Sequence, residues 1–399
     1  MSGELERAQR LERFLEQDPS NDALLRDIAA TYQAAGDYEK ALVFSEKLRA
    51  LVGDEPALLN DLGSLYLGLG RGEDAVNTLK LAVEEAPDAA PLLFNLGYAE
   101  FTLGNHEAAR SLFEQAVERD PENPEFHYFL ALAWDALDEG EASQKSLDRL
   151  FSIDPDHLRG QLICALNDLQ AGDLENARSR VKRMLGQNPR YVEALQLKAQ
   201  IAILAFEAQK SLAYLRQAES IDPENAETWI LQGQSLLMLQ RNAQARRAFE
   251  KGIALDDGSL EAFIGLGWSA LFQDDLAAAS LAFSRALSID AEAAEAHCGM
   301  AIIHLAGQDY DEAKRLSDLA LQLNPDSITA LLIQSAIAEH RGDKTSAKAL
   351  VHELLEGHRF SPFGWTTQEI KANFEASPTG RSVVNKYLRH TRMKSAEKP

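Results

Sequence analysis

The sequence predicts an all-α solenoid built from antiparallel helix pairs, and three observations lead there. The first is a ruler of 34 residues: Pro19, Pro87, Pro121, Pro155, Pro189, Pro223 and Pro325 share one grid, whose other points are Gly53, Asp257, Ala291 and Arg359. Self-similarity at this period marks stacked helical repeats, because one such repeat cannot bury its own apolar face and needs neighbours to cover it. The second is a pair of small-residue columns. Counting repeats from Asp22, position eight reads Ala29, Gly63, Gly97, Ala131, Ala165, Ala199, Gly233, Gly267, Ala301 and Ser335. Position twenty reads Ala41, Ala75, Ala109, Ser143, Ala177, Ser211, Ala245, Ala279, Ala313 and Ala347. Small residues in both columns let two helices approach closely. The third is a turn between them, often glycine at position fifteen (Gly36, Gly70, Gly104, Gly172, Gly342), where a left-handed backbone is needed.

The elements follow in order. Residues 1–21 hold an N-terminal capping helix, with Leu5, Leu11, Phe14 and Leu15 on its apolar side. Residues 22–361 hold ten tandem repeats of 34, each a helix, a turn and a second helix. Residues 362–399 are expected to form a C-terminal capping helix and a basic tail. The apolar residues of that cap run from Phe360 through Phe363, Trp365, Ile370 and Phe374 to a short helix around Val383, Val384, Tyr387 and Leu388. The sixth repeat departs most: Phe206 stands at the turn-glycine position and Lys198 in an apolar slot, so a softer joint is expected there.

The pattern resembles the tetratricopeptide repeat (TPR). Leu59, Leu62, Gly63 and Tyr66 are similar to its Trp-x2-Leu-Gly-x2-Tyr element, and Ala109–Phe113, Ala245–Phe249 and Ala279–Phe283 to its Ala-x3-Phe element. The resemblance implies an α-solenoid: a right-handed superhelix of about ten stacked TPR pairs, with the first helix of each pair lining a concave surface. Some members of that family clamp a peptide's terminal carboxylate with Lys, Asn and Arg at positions five and nine. Here those slots hold Arg26/Ala30, Asn60/Ser64 and Phe94/Tyr98, so that clamp is not expected.

Composition narrows the class of work. With 62 acidic and 40 basic side chains the formal charge is −22, which repels phosphate and argues against nucleic acid as a partner. Residues 362–399 alone carry seven basic and three acidic side chains. Two cysteines, Cys164 and Cys298, cannot build a disulfide framework. The charged start and the lack of a long apolar run predict no signal peptide and no membrane insertion, hence a cytoplasmic protein. No catalytic constellation stands outside the repeat register, so no enzyme activity and no cofactor are expected. Gly265-Leu-Gly267-Trp-Ser-Ala270 fits a dinucleotide pattern but lies within a predicted helix without the strand that motif requires. His297 and His304 lie two turns apart at packing positions, and His127 fills another, so no metal site is expected.

Function is therefore sought on the face that stacking leaves over. Positions five, nine and twelve of the first helices form a stripe that a solvated array would fill with polar residues. Here it carries Phe94, Tyr98, Phe101, Tyr128, Leu132, Leu166, Ile230, Ile264, Trp268, Leu271 and Ile302, joined by Phe272. Aromatic residues on rigid concave surfaces are common binding anchors. Position two adds Glu125, Glu193, Glu227, Glu261 and Glu295; Glu227, Glu261 and Glu295 are the candidate acidic margin beside the stripe. Part of this acidity reflects the preference for carboxylates in a helix's first turn. The sequence thus predicts a non-catalytic scaffold, adaptor or chaperone. It would hold an apolar, basic-flanked segment of a partner protein, either an amphipathic helix or a peptide. Homo-oligomeric self-assembly through the same surfaces is the alternative. Charging Tyr98 or Trp268 is expected to abolish capture while leaving melting unchanged.

Overall fold

The computed structural model describes residues 3–343, 345–347 and 349–350. The C-terminal cap and basic tail expected from the sequence lie outside these. Twenty α-helices are described, and no strand is present among the described residues. α1 (Gly3–Leu15) precedes the pairs α2/α3 (Asp22–Ala34, Tyr38–Val52), α4/α5 (Pro56–Gly68, Gly72–Glu85), α6/α7 (Ala90–Thr102, His106–Arg119) and α8/α9 (Pro124–Asp135, Gly140–Ile153). Then come α10/α11 (Leu158–Gln170, Leu174–Gln187), α12/α13 (Val192–Leu204, Ala208–Ile221), α14/α15 (Ala226–Met238, Asn242–Leu255), α16/α17 (Leu260–Leu271, Leu276–Ile289), α18/α19 (Ala294–Ala306, Tyr310–Leu323) and α20 (Ile328–His340). Every first helix begins at the first residue of a 34-residue repeat, and helices pack in consecutive pairs as an α-solenoid.

The chain divides into two compact bodies, one ending at Gln161 and one beginning at Leu162. The division falls within the fifth repeat rather than at the sixth. In the N-terminal body α1 covers the first pair: Ala8 and Leu15 are buried with Leu25, Ile28 and Tyr32. The core of the C-terminal body runs through Leu237, Phe249, Trp268, Phe283, Ala301 and Ile333.

The small columns have a direct structural cause. A Cβ added at Gly97 would lie 2.8 Å from the Phe113 ring, and at Gly267 2.5 Å from that of Phe283. Position eight thus receives the large residue at position twenty-four of the second helix, which is wholly buried in both cases. Only a residue with little or no side chain lets those helices meet.

All ten turns share one geometry. Gly36, Gly70, Gly104, Gly172 and Gly342 have φ between 70° and 80°, and Asp138, Phe206, Gln240, Asp274 and Gln308 take the same left-handed conformation at φ 56–64°. The sixth turn therefore has the same backbone as the others although Phe206 replaces glycine. Lys198 is also accommodated, its ammonium 4.4 Å from the centre of the Tyr214 ring. A Cβ costs roughly 1–2 kcal/mol in the left-handed region. Phe206 is exposed, so Phe206→Gly is expected to stabilise the chain by about 1 kcal/mol, less the added entropy of the unfolded state. Urea denaturation of the two chains checks this, and a loss above about 1 kcal/mol would show that packing of the ring outweighs the backbone strain.

The histidines are absorbed by the repeat. At position four, His127 donates through Nε2 to the carbonyl of Pro121 (2.9 Å) and His297 to that of Ala291 (2.9 Å). Gln161 and Trp229 make the same bond to Pro155 and Pro223 (3.1 and 2.9 Å). Four side chains of three kinds thus satisfy the carbonyl at the grid point six residues earlier, a backbone hydrogen-bonding role set by the repeat.

Candidate functional site

The apolar stripe has different fates in the two bodies. In the C-terminal body, Ile230, Trp268, Leu271, Phe272 and Ile302 are all between 0% and 4% exposed. They belong to the core, which corrects the expectation of open binding anchors for these five. Ile264 is half-buried against the same core, and Leu166 is exposed.

Two features close that stretch. A Cβ added to Gly252 of α15 would come within 2.9 Å of Ile230 Cγ1, so position five leans on the second helix of its own repeat. At position six, Gly265 and Gly299 leave no side chain between successive repeats. A Cβ on them would reach 2.2 Å from Phe249 and 2.3 Å from Phe283. The next helix descends onto those rings, and Trp268 is sealed between Phe272 (stacked, 5.7 Å) and Phe283 (edge-on, 5.7 Å).

In the N-terminal body position six carries Asn95 and Phe129 instead, and a cavity of about 680 Å³ remains open. Phe94, Tyr98 and Phe129 make its aromatic floor, with Leu67 and Leu103 beside them and Ser64, Asn95 and Thr102 as polar neighbours. The Phe129 ring is the hub: Phe94 meets it edge-on at 5.2 Å, Tyr98 at 5.3 Å and Tyr128 at 5.1 Å. Phe94 is anchored below by Phe126 (4.9 Å, stacked) and Phe113 (5.6 Å). Asn95 donates through Nδ2 to Asn60 Oδ1 (2.7 Å), which ties successive repeats together.

Glu125 and Arg159 complete the wall. They form an ion pair, and the Arg159 guanidinium also lies 4.7 Å from the Tyr128 ring centre and 5.6 Å from that of Phe129. His157 Nε2 lies 3.1 Å from the other Glu125 oxygen. Burial works against the charged carboxylate, but hydrogen bonds from His157 and Arg159 outweigh it and hold Glu125 below the usual carboxylate range. The acidic margin is therefore neutralised here.

Of the sequence candidates, Phe94 and Tyr98 line the cavity. Tyr128 supports it from beside Phe129, while Phe101 packs on His106 (5.1 Å) and Leu132 is half-buried. Phe129 and Arg159 were missed, since position six reads as a packing slot and Arg159 is a lone cation in an acidic column. Glu227 and Glu261 are exposed, whereas Glu295 is 8% exposed and does not stand on an open margin.

A sequence model of the tetratricopeptide repeat matches residues 60–124 and 264–328, and a second such model matches residues 101–166. Residues 60–166 and 264–328 thus carry tetratricopeptide repeats. No curated protein matches the TPR chain by sequence. Among solved structures it is similar to the APC/C hetero-tetramer Cut9-Hcn1 (16% identity, TM-score 0.54, covering 95% of this chain and 81% of that one). It is also similar to a tetratricopeptide repeat protein from Parabacteroides merdae (16%, TM-score 0.52, 65% and 99%). A third likeness, to pilF of Pseudomonas aeruginosa, has 21% identity, a TM-score of 0.43 and coverage of 49% and 90%. These likenesses concern the fold. TPR arrays are typically non-catalytic and the fold suggests a protein-protein interaction scaffold. No helix among the described residues is long and apolar enough to cross a membrane.

Proposed function

We propose that this TPR protein is an interaction scaffold whose N-terminal body captures an apolar segment of a partner protein in the Phe94–Tyr98–Phe129 cavity. The open aromatic floor carries the reading. Tyr98 is 37% exposed although its neighbours are packed, and about 680 Å³ suits a few side chains of a peptide or helix. Glu125 is already paired, so basic flanks on the segment gain little at this wall. Burying two or three apolar side chains would contribute roughly 5–8 kcal/mol before association costs. Those costs take several kcal/mol, which places the affinity of the cavity alone well short of nanomolar. Adaptor work with exchangeable partners fits such an affinity.

The test is a peptide-display selection on the full chain. Selected peptides are expected to be rich in Leu, Phe and Ile, and to bind the Tyr98→Asp variant at least about tenfold more weakly, because the new carboxylate must be desolvated on binding. Melting of that variant should be nearly unchanged. Peptides insensitive to Tyr98→Asp would overturn the assignment.

A further inference from the structure

Among the described residues lining the aromatic cavity, Arg159 is the only cation and Glu125 the only anion. The Arg159 guanidinium is held in place from several sides. It lies over the Tyr128 ring (4.7 Å to the centre) and the Phe129 ring (5.6 Å), and its Nη2 donates to Glu125 Oε2. Glu125 is held in turn by His157. The Nδ1 of that imidazole accepts from the Gly160 N–H (3.1 Å), so its hydrogen sits on Nε2 and points to Glu125 Oε1 (3.1 Å). A chain of hydrogen bonds anchored in backbone thus orients the guanidinium at the cavity wall. The pairing leaves most of the guanidinium unused: among the described residues, only an Nη2 hydrogen is taken, although Nε and Nη1 also carry donors. Other polar groups of the lining are more committed. The Ser64 and Thr102 hydroxyls donate to the carbonyls of Asn60 (3.0 Å) and Ala99 (2.8 Å), and Asn95 Nδ2 donates to Asn60 Oδ1 (2.7 Å).

The unfilled donors decide the chemistry of the flank. Both Glu125 oxygens already accept, which leaves little for a basic side chain, whereas a carboxylate meeting Arg159 gains charge-assisted hydrogen bonds. The formal charge of −22 opposes an acidic segment at long range, but salt screens that field over about 8 Å and the contact with Arg159 is direct. The guanidinium carbon is 5.6 Å from the centre of Phe129, so the carboxylate belongs beside the side chain that seats on that ring. We infer that the apolar segment captured by the cavity carries an Asp or Glu next to its anchor, and that Arg159 selects it. The inference rests on the capture proposed above and adds the charge of the occupant, opposite in sign to the basic flank that the sequence suggested.

The test selects random peptides, fused to a carrier at both ends so that no terminal carboxylate is present, on the full chain and in parallel on its Arg159→Gln variant. The wild-type chain is expected to enrich Asp or Glu within about four residues of a Leu, Phe or Ile, and the variant to keep the apolar residue and lose the acid. The Arg159 side chain is 48% exposed, so the variant should fold, and circular dichroism checks that it does. One peptide from the wild-type selection is then made with blocked ends, in its acid form and with the acid changed to the amide. The amide form is expected to bind the wild-type chain about tenfold more weakly, and the difference should vanish on Arg159→Gln. A merely structural role for Arg159 would weaken both forms equally, and that result would overturn the inference. Enrichment of Lys or Arg beside the anchor, or of no charged residue, would overturn it too while leaving capture by the cavity intact. Peptides whose binding ignores Tyr98→Asp would remove the capture itself, and this inference with it.

Discussion

Trp268→Ala is expected to destabilise the C-terminal body by about 3–5 kcal/mol, measured as the shift of the urea transition followed by circular dichroism. The indole is 2% exposed and held between Phe272 and Phe283, with Gly267 and Gly299 fitted against the Phe283 ring. Truncation removes the transfer energy of a large side chain and leaves a cavity between the Phe272 and Phe283 rings. Tyr98→Ala, at 37% exposure, should cost about 1 kcal/mol or less. The sequence alone suggested that charging either residue would leave melting unchanged; burial overturns this for Trp268. A cost below about 1 kcal/mol for Trp268→Ala would contradict the sealed packing described above.

Glu295→Gln should make the chain more stable than the wild type above neutral pH, and much less so in acid. The ordinary value of this carboxyl is 4.5, and burial raises it to about 7 in the folded chain. Between those values the folded state holds a proton that the unfolded state has released, so unfolding becomes easier as pH rises through the window. At 1.36 kcal/mol per pKa unit the full effect is about 3 kcal/mol. The stability of the neutral form is fully present below about pH 4.5 and lost by about pH 7. Cys298, close by on α18, is itself pushed up by burial and by the Glu295 charge and does not compensate it. His297 on the same helix donates to Ala291. Urea transitions of both chains at about pH 5 and pH 8 provide the check, since the other groups cancel in the difference. A wild-type-minus-variant difference independent of pH would refute the assignment.

The legible part of this protein was its periodic part. Position eight and position twenty could be read as helix contacts because every repeat obeys the same steric rule. The left-handed turn could be read from five glycines even though Asp138, Phe206, Gln240, Asp274 and Gln308 adopt it without being glycine. The candidate site was less legible. The helical spacing singled out Phe94 and Tyr98, which line the open cavity, yet the same spacing selected Trp268 and Ile302, which lie in the core. A helical wheel places a residue on a face, but it does not show whether the neighbouring repeat covers that face.

Sequence by itself determined the all-helical class, the length and phase of the repeat, the turn backbone and the packing role of position eight. All of these depend on interactions within one repeat or between identical neighbours. Tertiary structure alone decided where the apolar stripe stays open and which carboxylates keep a partner. The accessible space depends on residues off the stripe: Gly265 and Gly299 leave room for the Phe249 and Phe283 rings against the next helix, while Asn95 and Phe129 line the open cavity. The state of each position-two carboxylate likewise depends on a residue one repeat away, as with Arg159 at Glu125, and on burial that only the folded chain creates.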